Sequence, residues 1–179
     1  MTKLTITEGL AELKTLRKRI EKKQSVVLNN LLRQDTYKDP LHAEGGSPAV
    51  IAGERQAIAD LEQRFLDIRL AISKANNETP LTIGDETHSI AHWLVWKRDV
   101  APAQQQFTGR MVQEILNIRT QAQNKGLIVA PSGGTTHPDD VVVNVNEAEL
   151  HKQSERYVQI LGDLDGQLSL KNATVFIDV

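Results

Sequence analysis

A chain of 179 residues suits one domain, or one domain with an extended part, and its 21 basic and 23 acidic residues leave a formal charge of −2. That balance carries no broad cationic field for nucleic acid or an anionic membrane, and the absence of cysteine excludes disulfides and thiolate metal sites. Aromatic residues make up only 4% of the chain, which favours helices packed along narrow seams over a thick core.

The opening MTKLTITEGLAELK has no continuous apolar stretch after its Lys, so no secretory signal is expected, and no uncharged apolar run approaches the ~18 residues of a bilayer-spanning helix. Thr5 and Glu8 fit a capping box, which starts a first helix at Thr5. Its apolar seam reads Ile6, Leu10, Leu13, Arg17, Ile20, Gln24, Val27 and Leu31, a heptad pattern with two polar interruptions. The loop DTYKDPLHAEGGSP follows, and a second helix runs from Pro48 to Ala75 with the seam Ile58, Leu61, Phe65, Ile68, Ile72 and Ala75. At 1.5 Å per residue the pair predicts an antiparallel coiled-coil hairpin roughly 40 Å long.

Leu81–Ile83 reads as a short strand, with turn chemistry at Gly84-Asp85. Thr87 or Ser89 then caps a third helix reaching Asn124, which Pro102 kinks or restarts with Asp99 as a new cap. Its seam reads Phe107, Met111, Ile115, Ile118 and Ala122, and Gly126 followed by Leu127 gives a left-handed exit. Leu127–Ala130 and Val141–Val145 predict a β-hairpin across the loop PSGGTTHPDD. Asn146 and Glu149 form a second capping box, opening a last helix with Leu150, Tyr157, Leu161, Leu164 and Leu168 on its seam. Gly162 and Gly166 cost that helix about 1 kcal/mol each and mark a possible close approach of another backbone. The chain closes on an apolar strand, Thr174–Val179.

The fold class expected is mainly α (α+β): a long antiparallel helical hairpin over 1–76, then a helix, a β-hairpin, a helix and a C-terminal strand over 77–179. A small sheet gathers at the helix ends, and about 60–65% of the residues are helical.

Few residues carry chemistry. His88 and His92 stand at i,i+4, the spacing of zinc helices, but no Glu follows His88 and no third ligand lies nearby, so solvent-facing or capping histidines are expected. Gly133, Gly134, Thr135, Thr136, His137, Asp139 and Asp140 lack both the Lys-Ser/Thr step of a phosphate loop and the alternate carboxylates of a calcium loop. The basic run KTLRKRIEKK has interleaved acid and no stacking aromatics, so it reads as a solvated coiled-coil flank. The acceptor patterns at Asn77 and Asn172 read as helix exits. No catalytic, cofactor-binding or metal-ligating residue is assigned, and an enzyme is not expected.

The last third, VVVNVNEAELHKQSERYVQILGDLDGQLSLKNAT, resembles the closing segment of the septicolysin-like family of small helical bacterial and phage proteins. The matching positions are Val143, Val145, Glu149, Leu150, Gln153, Leu164, Asp165 and Asn172, and ISKANNETPLT and WLVWKRDV agree with the family in outline. The resemblance implies a helical, oligomeric protein, and the family's name implies pore formation. No amphipathic β-hairpin accompanies that label here.

A terminal apolar strand invites pairing, either with the chain's own Val141–Val145 or with a neighbour's sheet. Self-association is therefore expected, through Trp93, Trp96, Val175, Phe176, Ile177 and Val179. The function expected is a non-enzymatic structural or adaptor part of a phage virion, assembled in the host cytoplasm, with itself and other virion proteins as partners and no cofactor, nucleic acid or membrane. The alternative is a stand-alone oligomer of the septicolysin-like kind in the bacterial cytoplasm, with binding or membrane activity.

Overall fold

The structure, a computed structural model, describes residues 2–130 and 141–179. The fold is mainly α with a small β component, 73% helical. Two compact units form, Met1–Thr79 with Leu168–Val179, and Pro80–Gln167.

In the first unit, β1 (Lys3–Thr5) leads into α1 (Ile6–Asn29), and α2 (Ser47–Glu78) returns beside it. Both halves of the Thr5–Glu8 capping box are made: the Thr5 hydroxyl accepts from the Glu8 N–H at 3.2 Å, and Glu8 Oε2 accepts from the Thr5 N–H at 2.7 Å. The helices run antiparallel, since Glu12 near the start of α1 pairs with Arg64 at 3.0 Å and Lys23 further along pairs with Glu54 at 2.8 Å. Predicted seam residues of α2 meet the core as expected, with Ile68 and Ile72 buried and Leu61, Phe65 and Ala75 packed against them.

On α1 the seam is corrected. The inward residues are Ile6, Gly9, Leu13 and Leu16, while Leu10 and Leu31 are exposed. Both heptad readings share Ile6 and Leu13; alternate positions step back by one residue, so that a glycine takes the place given to Leu10.

The C-terminal strand β6 (Phe176–Asp178) carries the second correction. Instead of joining Val141–Val145 or a neighbour, it pairs antiparallel with β1 in the register Lys3↔Asp178, Leu4↔Ile177, Thr5↔Phe176. Two further backbone bonds join Thr2 and Val179, at 2.7 and 3.1 Å. Residues 168–179 thus belong with the first hairpin and not with 80–167. A tail with apolar residues on alternate positions finds its partner in the three residues that end at the first cap, too short a stretch to announce itself by periodicity.

The α1–α2 loop is held by Asp39. Its carboxylate accepts from the Ser47 N–H at 2.8 Å, the Ser47 hydroxyl at 2.7 Å and the Leu41 N–H at 2.9 Å. The N-cap position, Gly46, has φ +90 and no side chain, so a carboxylate from the loop satisfies the helix's first N–H instead.

In the second unit, β2 (Pro80–Ile83) and β3 (Glu86–Ser89) form an antiparallel hairpin. The expected Gly84-Asp85 turn is present, with positive φ at Gly84 only, as in a II′ turn. The Ser89 hydroxyl accepts from the His92 N–H at 3.2 Å and caps α3 (Ile90–Val95). A wide π turn (Trp96–Val100) then leads directly into α4 (Ala101–Asn124), the Ala101 N–H reaching Trp96 O. Asp99 does not cap a new helix; it pairs with Arg98 at 2.7 Å. Pro102 has no N–H to give its helix, and the wider turn just before it absorbs the irregularity without a break.

The α4 exit is as predicted, with Gly126 at φ +70 and the Leu127 N–H bonded to Ala122 O at 2.9 Å. The expected β-hairpin is corrected to a parallel pair, β4 (Val129–Ala130) with β5 (Val141–Val142). Asn146 accepts from Ala148 N and opens α5 (Glu147–Thr174). Ion pairs Lys97–Asp165 and Arg119–Glu147 set α5 antiparallel to α4, and Ile115, Val143 and Leu150 bury together between them. Among the described residues, the single small sheet expected is thus three separate strand pairs.

Candidate functional site

Two of the predicted interface residues, Trp93 and Trp96, lie in the second unit beside its only concentrated cluster of rings among the described residues. The β2–β3 hairpin positions the cluster. His88 ends up on β3, His92 in the first turn of α3, and their rings stack at 4.0 Å with planes 19° apart. In-plane lone pairs of nearly parallel rings do not converge on one ion, so the i,i+4 spacing does not make a zinc helix. Among the described residues no group of three His, Cys, Asp or Glu is placed to hold a metal.

Trp93 meets both imidazoles edge-on, at 5.5 and 5.9 Å, and is itself buried. Its indole N–H donates to Leu81 O at 2.9 Å, which locks α3 to β2. Trp96, three residues on, stands at 86° to Trp93 with centroids 5.7 Å apart. Trp93 is therefore a core residue, while Trp96 is half-buried and opens onto a cleft.

That cleft measures about 300 Å³. Trp96, His92 and Trp93 form one part of its lining, and α5 contributes Gln153, Arg156, Tyr157 and Ile160. Gln153 donates to the Tyr157 hydroxyl at 2.9 Å. Glu86 lies at the rim with Arg156 at 3.7 Å and His88 at 3.6 Å. Gln104, in the first turn of α4, completes the lining, and its amide Oε1 is shielded from solvent with no hydrogen-bond partner. A shielded amide oxygen without a donor is uncommon in folded proteins, and each one calls for a reason.

The remaining predicted interface residues lie in the first unit. Ile177 is 3% exposed and packs into the core with Ile6, Ile68 and Ile72, so it is closed to any partner. Val175 and Val179 pack partly against the same core, and only Phe176, 63% exposed, is presented to solvent. No atom lies within 4 Å of where a Cβ would stand on Gly162 or Gly166, and the pair lines a groove with Thr82, Ile83 and Gly84. The 131–140 loop, with Gly133, Gly134, Thr135, Thr136, His137, Asp139 and Asp140, lies outside the described residues. On α1 the basic run is partly engaged: Arg17 sits 5.9 Å over the Phe65 ring, and Lys23 pairs with Glu54.

No family model and no curated protein matches the chain. Its fold is similar to that of a functionally unknown conserved protein from Corynebacterium diphtheriae, at a TM-score of 0.55 and 14% identity over 99% of this chain and 100% of the other. At that identity the likeness concerns the fold.

The sequence points to the tryptophans and His92 of the cleft, and to Gln153 only as a position of the family resemblance; Glu86, Gln104 and Arg156 carry no signal of their own. Polar residues gain significance there only from their placement, and the nearest signal was the run Gln104-Gln105-Gln106 directly after the predicted break at Pro102.

Proposed function

We propose that the protein is a non-enzymatic structural or adaptor component that works by assembling with copies of itself, and that a phage virion is its setting. One observation carries the reading. Heptad positions that looked like core from the sequence divide between inside and outside: Ile115 and Ala122 of α4 are buried, while Phe107 is 63% and Ile118 39% exposed. Phe107, Met111 and Ile118 follow one another at spacings that place them along a single stripe of α4, and Met111 between them is half-buried. Apolar side chains in register on an exposed helix are what a second helical layer would cover.

Light scattering tests this. A mass well above the 19.9 kDa of one chain is expected, falling to one chain in Phe107→Asp with its circular dichroism unchanged. A wild-type protein that stays at 19.9 kDa at every concentration removes the assembly reading. Mass spectrometry of purified virions tests the setting.

A second reading rests on the sequence resemblance of the last third of the chain: a stand-alone oligomer of the septicolysin-like kind, with binding or membrane activity. Among the described residues no helix is long and apolar enough to cross a membrane. Leakage from dye-loaded liposomes would favour this reading, and inert liposomes would count against it.

A further inference from the structure

We propose that the groove on one face of the α1–α2 hairpin is a second self-association surface, packing end for end against the same groove of another copy. The inference rests on the reading that the protein assembles with itself, and gives that assembly a face other than the α4 stripe. Two adjoining hollows of about 350 and 210 Å³ form the groove and share Arg17 and Phe65. Exposed Leu10 and half-buried Phe65 supply apolar surface in it. Exposed Leu66 stands on α2 one turn from both Glu62 and Arg69.

The charges along the groove are sorted by sign. Lys14 and Arg69 line one end, and Glu21 and Glu62 line the other. Among the described residues none of these four forms an ion pair; the cross-helix pairs of the hairpin use Glu12 with Arg64 and Lys23 with Glu54. Lys14 and Glu21 are two turns apart on α1, as are Glu62 and Arg69 on α2, which is about 10 Å along each helix. Arg17 lies between the first two and Phe65 between the second two, with the Arg17 guanidinium 5.9 Å over the Phe65 ring.

That order selects a symmetry. A two-fold axis lying across both helices at Arg17 and Phe65 turns the second groove end for end. Lys14 of one copy then meets Glu21 of the other, and Arg69 meets Glu62, each contact occurring twice. An axis along the helices would set basic end on basic end, which repels. The product is an antiparallel packing of four helices that covers Leu10, Phe65 and Leu66. Exposed ion pairs are individually weak, so the groove joins chains already held through α4 and does not hold two chains by itself. Phe107→Asp therefore still falls to one chain.

Sedimentation velocity of the full chain tests this with Lys14→Glu and Glu21→Lys, both at exposed positions. Each reversal alone sets like charge against like at both symmetric contacts. Each should weaken the groove step about tenfold and give a mass below that of the wild type but above one chain. Mixed in equal amounts, the two variants face each other with opposite charges at both contacts, and the wild-type mass should return. Charges that acted only within one chain would show no rescue on mixing. Single reversals with the wild-type mass, or a loss that mixing does not rescue, would overturn the groove and leave the α4 stripe standing. A wild type that stays at one chain at every concentration would remove both.

Discussion

Gly9 of α1 and Ile177 of β6 are in contact so close that a Cβ on Gly9 would lie 2.9 Å from Ile177 Cδ1, with Ile72 Cδ1 at 3.3 Å. The first unit is therefore keyed at one point, where the strand's isoleucine fills the gap left by a missing side chain. Gly9→Ala should be nearly neutral, since the gain in helix propensity of about 1 kcal/mol offsets a small shift of two flexible side-chain tips. Gly9→Val should destabilise by about 1–3 kcal/mol through overpacking, read as a lower urea midpoint at unchanged slope. Equal midpoints for all three proteins would mean the contact is loose.

Ile177→Ala should cost about 2–5 kcal/mol, because a buried side chain is removed from a core that cannot close over the space. Phe176→Ala, one residue away on the exposed face, should change the midpoint by less than about 0.5 kcal/mol. A truncation lacking 175–179 should therefore lose stability in the first hairpin, and not merely change its assembled mass. Chemical denaturation of the three variants ranks them.

Asp39 gives a pH dependence. Hydrogen bonds from the Ser47 backbone and hydroxyl hold its carboxyl at about 2, below its ordinary 3.8. A depressed folded value means stability that is complete above the unfolded value and lost as pH falls from about 4 through about 2. In Asp39→Asn that part of the acid slope should disappear. Thermal midpoints measured from about pH 5 down to about pH 2 for the two proteins check it; parallel curves would show that the carboxylate does not matter to the loop.

Trp93→Phe should leave the Leu81 carbonyl buried without its donor, at a cost of about 1–3 kcal/mol. Ser89→Ala should cost about 1 kcal/mol by uncapping α3. Hydrogen exchange in the β2–β3 hairpin reads both, and the tryptophan variant should loosen the hairpin more.

Leu164→Asp places a carboxylate at a position with 0% exposure and should abolish most of the far-UV helical signal. Retained helicity would mean that α5 can rotate its seam outward.

Legibility in the sequence followed the range of the forces involved. The α2 seam, the Thr5–Glu8 box, the Ser89 cap and the Gly126 exit are local, and each could be read within a few residues. The α1 seam was read half correctly because Gly9 contributes no apolar side chain to a periodicity. Ile177 from the other end of the chain, with Ile68 and Ile72 of α2, shows that position to be core. The direction of the β4–β5 pair is likewise not written in either strand: turn residues between two β segments suggest a hairpin, and the observed pairing is parallel. Pro102 announced an interruption but could not say whether a cap or a wide turn would resolve it. The cleft was visible in its rings and invisible in its amides.

The pairing of Lys3 with Asp178 also has a kinetic side. Loop closure entropy rises with the length of chain enclosed, and this contact encloses almost all of it. On a ribosome, α1 and α2 emerge long before Ile177 does, so their shared groove at Gly9 waits unfilled until β6 is made. The slowest step in completing the first unit should be the docking of β6, and a chaperone that shields that groove would act before that docking and not after it.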